Sequence, residues 1–304
     1  MSSTRELRRH IRSVKSTRQI TKAMEMVSAS KLRRSSEATS LARPYALRIA
    51  EAMRDALITQ EDPHPLLVPR PVKRTILVVI SSDRGLAGAY NTNIVKEALA
   101  FVKEEEAVGR SVACITFGRK AEQALNRHGV AIFQSYQHAL SHPVAADVLP
   151  LARSLASLYA TNETDRVVII ATHFASMFRQ ETKVTRFLPL THEEFKIETA
   201  GDAHYTARET QAEKVHDHLF LYEPSPESLL DELIPRYLEA MLFQQLQESV
   251  ASEHAARRMA MRNATDNASD ILDHLQLTYN SVRQSSITQE IAEITSATIS
   301  MEQS

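Results

Sequence analysis

The stretch RYLEAMLFQQLQESVASEHAARRMAMRNATDNASDILDHLQLTYNSVRQSSITQEIAEITSATISMEQS, Arg236–Ser304, contains neither glycine nor proline. Ala, Leu, Glu, Gln and Arg recur through it, and all are strong helix formers. An uninterrupted helix of about 60 residues is roughly 90 Å long, several times an ordinary globular helix. Such a helix cannot bury itself in one small core and needs a partner along most of its length. The first 43 residues, also free of both helix breakers, are the candidate.

The chain has 304 residues, and its six glycines all fall between Gly85 and Gly201. Both ends therefore lack the residues that punctuate loops. The organisation reads as helix, compact domain, helix: residues 1–60, 73–222 and 225–304. The net charge of -1 excludes a general polyanion binder. Charge is nevertheless uneven. Ten basic residues stand against Glu6 and Glu25 between Arg5 and Arg34, whereas from Arg236 onward nine acidic residues face five basic ones. Opposite charge on two long helices favours their association. The lone Cys114 excludes an intramolecular disulfide, and no Cys/His spacing points to zinc. No signal peptide is expected near Met1, and no apolar run is long enough to span a membrane.

Leu7, Ile11 and Val14 are spaced as a helical seam. Ile20, Met24 and Val27 continue it with a shift in phase, because Arg18 and Thr21 stand where the first seam would run. Pro44 is expected to break or kink this helix, and Ile49, Ala50, Met53 and Leu57 suggest further turns. Pro63, Pro65, Pro69 and Pro71 mark an extended linker. Strands are expected at Thr75–Ile80, Ser111–Thr116, Val130–Phe133 and Arg166–Thr172, with an edge strand at Lys183–Leu188. Helices are expected at 91–108, capped by asparagines, and at Arg119–Arg127 and Val144–Tyr159. This rhythm predicts a mostly parallel sheet covered by helices. Thr191–Asp217 reads as a polar loop or hairpin. Ser225 then caps the last helix, Pro226 opens it and Pro235 is expected to kink it. Along that helix lie Leu238, Leu242, Leu246 and Val250, an alanine-rich middle, and then Ile287, Ile291 and Ile294.

SSDRGLAGAYNTN (Ser81–Asn93) occupies the position of a phosphate-binding turn but lacks both glycine spacings that cradle phosphate. Its Gly85 and Gly88 read as residues for tight turning and close backbone packing. The basic first helix has the charge of a nucleic-acid arm, yet its seam and acidic partner give the same residues a structural use. No catalytic constellation and no metal-ligand set is indicated. A nucleotide-binding α/β protein and a nucleic-acid-binding coiled-coil adaptor remain the competing classes.

Four stretches, in order, resemble the gamma-subunit family of F-type ATP synthases. They are Ile11–Arg34 (IRSVKSTRQITKAMEMVSASKLRR), Asp83–Asn91 (DRGLAGAYN), Ser252–Asn267 (SEHAARRMAMRNATDN) and Tyr279–Ile294 (YNSVRQSSITQEIAEI). The second is similar to a DRGLCGG-N turn, with Ala87 and Ala89 replacing the common Cys and Gly. Thr295–Ser304 lacks the family's small Gly-Ala ending, and the cysteine pair of chloroplast relatives is absent.

The resemblance implies an antiparallel coiled coil of the two termini plus a Rossmann-like, mostly parallel α/β domain. It further implies the non-catalytic central rotor shaft of F1, passing torque between ion flow through Fo and the beta subunits. The implied partners are an alpha3beta3 hexamer, epsilon and the membrane c-ring, with one copy per complex, no cofactor, no nucleotide and no nucleic acid. The implied location is peripheral, at the cytoplasmic face of the bacterial plasma membrane. Carried over by motif, Met24, Arg257, Arg283, Gln284, Thr288 and Glu290 are expected to contact alpha or beta. Asp83, Arg84, Gly85 and Gly88 form the family turn.

Overall fold

A computed structural model describes residues 4–58, 64–138, 145–190 and 225–302. The expected loop at Thr191–Asp217 lies outside the described residues. The chain divides into two compact units, Met1–Ala29 with Arg257–Ser304, and Ser30–Ala256. Two long helices, α1 (Thr4–Ile58) and α5 (Pro226–Glu302), contribute residues to each.

The Ser30–Ala256 unit is built on a five-stranded sheet. Its elements are β1 (Arg74–Ile80), α2 (Tyr90–Ala107), β2 (Ser111–Phe117), α3 (Arg119–Arg127), β3 (Ile132–Tyr136), α4 (Ala145–Ala160), β4 (Arg166–Phe174) and β5 (Gln180–Leu188). Strand order is β3-β2-β1-β4-β5. The first four strands are parallel, and β5 runs antiparallel along β4 at the edge. Both faces of the central strands are covered, so these strands read as unbroken apolar runs. Successive side chains still alternate between faces. Ile76, Val78 and Ile80 join a core with α4, α5 and the α1 residues Ile49, Ala50 and Met53. Leu77 and Val79 join a second core with α2 and α3.

The helix assignments run through Pro44 in α1 and Pro235 in α5 without a break. An interior proline costs about 3 kcal/mol or more. Beyond Pro235 lie Leu238, Leu242 and Leu246, and before it Leu230 and Ile234, all at most 1% exposed. At roughly 2 kcal/mol for each buried side chain, that row outweighs the proline. Ile49, Ala50 and Met53 do the same for α1. Ser225 caps α5 as expected, its Oγ accepting the Ser228 N–H at 3.2 Å.

The proline-rich linker is docked on the unit. Leu66 is buried in the first core, and the Arg70 guanidinium lies 4.0 Å from the Tyr159 ring centroid. Asp165 Oδ2 accepts the backbone N–H groups of Lys73 and Arg74. Burial works to raise the Asp165 pKa, but those two donors and the charges of Arg74 and Arg70 outweigh it and hold the carboxyl below its usual range.

The Met1–Ala29 and Arg257–Ser304 unit is an antiparallel coiled coil. Thr265 Oγ1 donates to Thr21 Oγ1 at 2.8 Å, and the Arg8 guanidinium donates to the Tyr279 hydroxyl at 2.7 Å. Along α1 the less exposed positions include Thr4, Leu7, Ile11, Val14, Arg18, Thr21, Glu25 and Ser28. Along α5 they include Arg258, Met261, Thr265, Ala268, Leu272, Leu275, Tyr279 and Val282. Both series step by three and four, a repeat of 3.5 residues, which brings the seams together with a left-handed supercoil.

This seam corrects the phase shift expected in α1. It continues straight through Arg18 and Thr21, and Ile20 and Val27 point outward at 58% and 57% exposure. Apolarity marked the seam where Leu7, Ile11 and Val14 supply it. Farther along, small and polar side chains keep the geometry while isoleucine and valine face away.

Candidate functional site

Two places gather the residues singled out by the sequence. The first is the turn between β1 and α2. Its anchor is Asp83, whose Oδ1 accepts the Arg119 N–H and whose Oδ2 accepts the His138 N–H, each at 3.1 Å. One carboxylate thus ties the end of β1 to the start of α3 and the segment after β3. Asparagines were expected to cap the following helix. Instead α2 begins at Tyr90 with no side-chain cap, and Asn91 Oδ1 accepts from the Ser82 N–H (3.0 Å) and Ser82 Oγ (2.9 Å). Ser82 Oγ also lies 2.6 Å from the Arg84 carbonyl.

Gly88 has φ 56°, a conformation that glycine adopts without a Cβ penalty. Gly85 has no such demand, since a Cβ there would meet only Lys120 Cε at an ordinary 3.9 Å. The glycine that the turn cannot lose is Gly118. At φ 83° a Cβ would fall 2.1 Å from the Ser81 carbonyl oxygen. Nothing in the local pattern ITFGRK marked it, because the constraint comes from a strand 37 residues earlier. Leu86 holds φ 62° while 62% exposed, a cost of about 1 kcal/mol or more for a branched side chain.

The sheet reverses its winding between β1 and β4, the crevice where doubly wound folds take ligands. Here α5 lies across it. Ser249 Oγ is 2.7 Å from the Tyr90 hydroxyl, Ser252 Oγ donates to the Thr172 carbonyl at 3.2 Å, and Glu248 Oε2 sits 2.5 Å from His173 Nδ1. These contacts set the chain's own helix at the place where other doubly wound folds take a ligand. Among the described residues no cluster of His, Cys, Asp and Glu is arranged to hold a metal. Cys114 is buried, and burial pushes its thiol up to about 12, so the reactive thiolate is scarce at neutral pH.

The second place is the far end of α5. The coil register sets Thr4 opposite Val282, so beyond Val282 α5 has no partner helix among the described residues. Arg283, Gln284, Thr288 and Glu290 are all exposed there. Thr288 Oγ1 donates only along its own helix, to the Gln284 carbonyl at 3.0 Å. Ile287, Ile291 and Ile294, spaced by four and three, are 47%, 59% and 67% exposed beside them. Arg283, Gln284 and the three isoleucines thus share one broad face of a helix. Met24 is elsewhere, half-buried on the flank of the seam, its carbonyl accepting Ser28 Oγ at 2.7 Å. Arg257 is only 9% exposed and engaged within the chain.

No described helix is long and apolar enough to cross a membrane. A family model described as ATP synthase matches residues 3–301. The ATP synthase gamma chain of Herpetosiphon aurantiacus is 40% identical over 312 residues, covering all of both chains. That of Alkaliphilus metalliredigens is 39% identical over 96% of each. Among solved structures, the central stalk and c-ring of Tetrahymena thermophila mitochondrial ATP synthase matches with TM-score 0.59 and 25% identity, over 81% of this chain and 99% of that one. The rotor of the Euglena gracilis mitochondrial enzyme matches in fold, with TM-score 0.63 and 20% identity, over 93% of this chain and 98% of that one. Matched end to end by one family and by relatives of that kind, the chain belongs to the ATP synthase gamma chains.

Proposed function

We propose that this chain is the rotating shaft of an F1 sector, gripped by alternating alpha and beta subunits around the coil of Met1–Ala29 and Arg257–Ser304. Membership of the family makes it a non-catalytic subunit of the central stalk of ATP synthase. The Ser30–Ala256 unit would meet epsilon and the membrane c-ring, one copy per complex, at the cytoplasmic face of the bacterial plasma membrane. The observation that carries the reading is the exposed face of Arg283, Gln284, Ile287 and Ile291 on a stretch of α5 that no other helix accompanies among the described residues. An apolar row in water is costly, and one edged by polar groups marks a surface that another protein covers.

Torque would follow from asymmetry. Each beta subunit meets a different side of the coil and is held in a different state by contacts made with that state alone. Rotation then exchanges the states, and hydrolysis runs the cycle in reverse. Arg283 and Gln284, with Thr288 and Glu290, would supply the polar grip.

The test is Arg283→Ala combined with Gln284→Ala. Both side chains are exposed, so the isolated chain should keep its helical circular dichroism, with stability within about 0.5 kcal/mol of the parent. In the assembled complex the pair should lower ATP-driven ion pumping or the yield of complex. Pumping and assembly equal to the parent would remove this face from the grip.

A further inference from the structure

The run Gln247–Glu253 (QESVASE) is anomalous for a helix that otherwise buries leucines. Gln247, Glu248, Ser249, Ser252 and Glu253 are all at most 8% exposed. Buried polar groups stabilise less than well-packed apolar ones and are costly if left unpaired. What they supply is direction. Leucines against a sheet tolerate small rotations of a helix about its axis, whereas hydrogen bonds weaken steeply with misalignment.

The directional contacts of this run converge on the end of the sheet. The Tyr90 and Ser249 hydroxyls, both at most 5% exposed, bond each other at 2.7 Å and join α5 to the first residue of α2. Ser252 Oγ donates to the Thr172 carbonyl near the end of β4. The two Glu248 oxygens engage His173 Nδ1 and Gln244 Nε2, at 2.5 and 2.9 Å. Positions 248, 249 and 252 span about 100° of the helix circumference. Turning α5 about its axis in this unit therefore breaks contacts to α2 and β4 together.

We propose that Tyr90, Ser249, Ser252, Glu248 and His173 form a rotational clamp that fixes α5 to the sheet at the crevice other folds of this topology leave for a ligand. They are positioning residues: they touch no substrate and act by making torque on the α/β unit appear in α5. The inference rests on the central-stalk reading and extends it.

The experiment uses the complex in membrane vesicles with Tyr90→Phe, Ser249→Ala and Ser252→Ala together. Both partners of the hydroxyl pair are removed, so little buried polarity is left unsatisfied. ATP hydrolysis and ATP-driven ion uptake are measured on the same vesicles, and amide exchange along α5 on the isolated chain. Exchange over 247–256 should rise about ten-fold, and ion uptake per ATP should fall about two-fold at nearly unchanged hydrolysis, as for a slipping coupling. Faster exchange with unchanged uptake per ATP overturns the clamp as a torque element, and unchanged exchange overturns it as a clamp. Should the triple variant fail to assemble, Tyr90→Phe and Ser252→Ala alone read the same two quantities in smaller steps. A parent chain that supports no uptake at all would sink the central-stalk reading instead, a result visible before any variant is compared.

Discussion

His64 shows how one side chain links the linker to α5. Its Nδ1 accepts the Leu66 N–H at 3.2 Å, which places the ring proton on Nε2, 3.2 Å from Asp231 Oδ1. Burial lowers its pKa below 6.5, and the opposing charge and hydrogen bond of Asp231 do not make up the difference. The unfolded chain therefore takes up a proton near 6.5 while the folded chain stays neutral. Stability is full above that pH and declines as pH falls towards the lower folded value. Protonation would also put a second hydrogen on Nδ1, facing the Leu66 donor. The expected result for His64→Gln is a flatter fall in stability as pH drops below about 6.5, followed by urea denaturation. An unchanged slope would show that the imidazole titrates equally in both states. The residue scale also holds Gly118, whose need for glycine is set by the Ser81 carbonyl beside it.

At the scale of elements, most of the secondary structure could be read from the sequence, and the misses have physical causes. β1, β2 and β4 stand out because strands covered on both faces are continuously apolar. β5 begins at Gln180, three residues before its expected start, since an edge strand with one wet face has a weaker signal. The seam of α1 was legible only for its first two turns, and beyond Val14 it is written in Arg18, Thr21, Glu25 and Ser28. That difference is testable. With the apolar phase in the seam, Ile20→Ser and Val27→Ser would cost about 2 kcal/mol or more each. Both side chains are more than half exposed, so the double variant should unfold within about 0.5 kcal/mol of the parent in urea. On the proposed shaft reading, its loss should instead appear in assembly with alpha and beta subunits, through the outward face. Of the candidate site, the family pattern named Arg283, Gln284, Thr288 and Glu290 as contacts with alpha or beta, and all four are exposed. It gave no hint that Arg257 is buried or that α5 fills the sheet's crevice, because both depend on contacts distant in sequence.

On the scale of the whole molecule, the two units are stabilised by different means, and the contrast bears on function. The Ser30–Ala256 unit has apolar cores on both faces of a sheet. The coil is lined at successive layers by Arg18, Thr21, Glu25 and Ser28, and it leaves Ile20, Val27, Ile271 and Leu277 at least half exposed. Helices of this kind draw their stability from whatever encloses them. A coil with a well-filled leucine seam would be firm alone and would gain little from a sleeve, whereas this one should be marginal alone. In the isolated chain, amides of residues 258–295 should exchange at least about 100-fold faster than those of β1 and β4, a gap of about 3 kcal/mol in opening free energy. Heating should remove part of the helical circular dichroism before the tyrosine signal of the α/β unit changes. In the assembled complex the same amides should become protected, through contacts the isolated chain lacks. A single cooperative transition with uniform protection in the isolated chain would mean that the coil needs no enclosing partner. The role of the surrounding subunits would then be reduced to gripping a shaft already stable by itself.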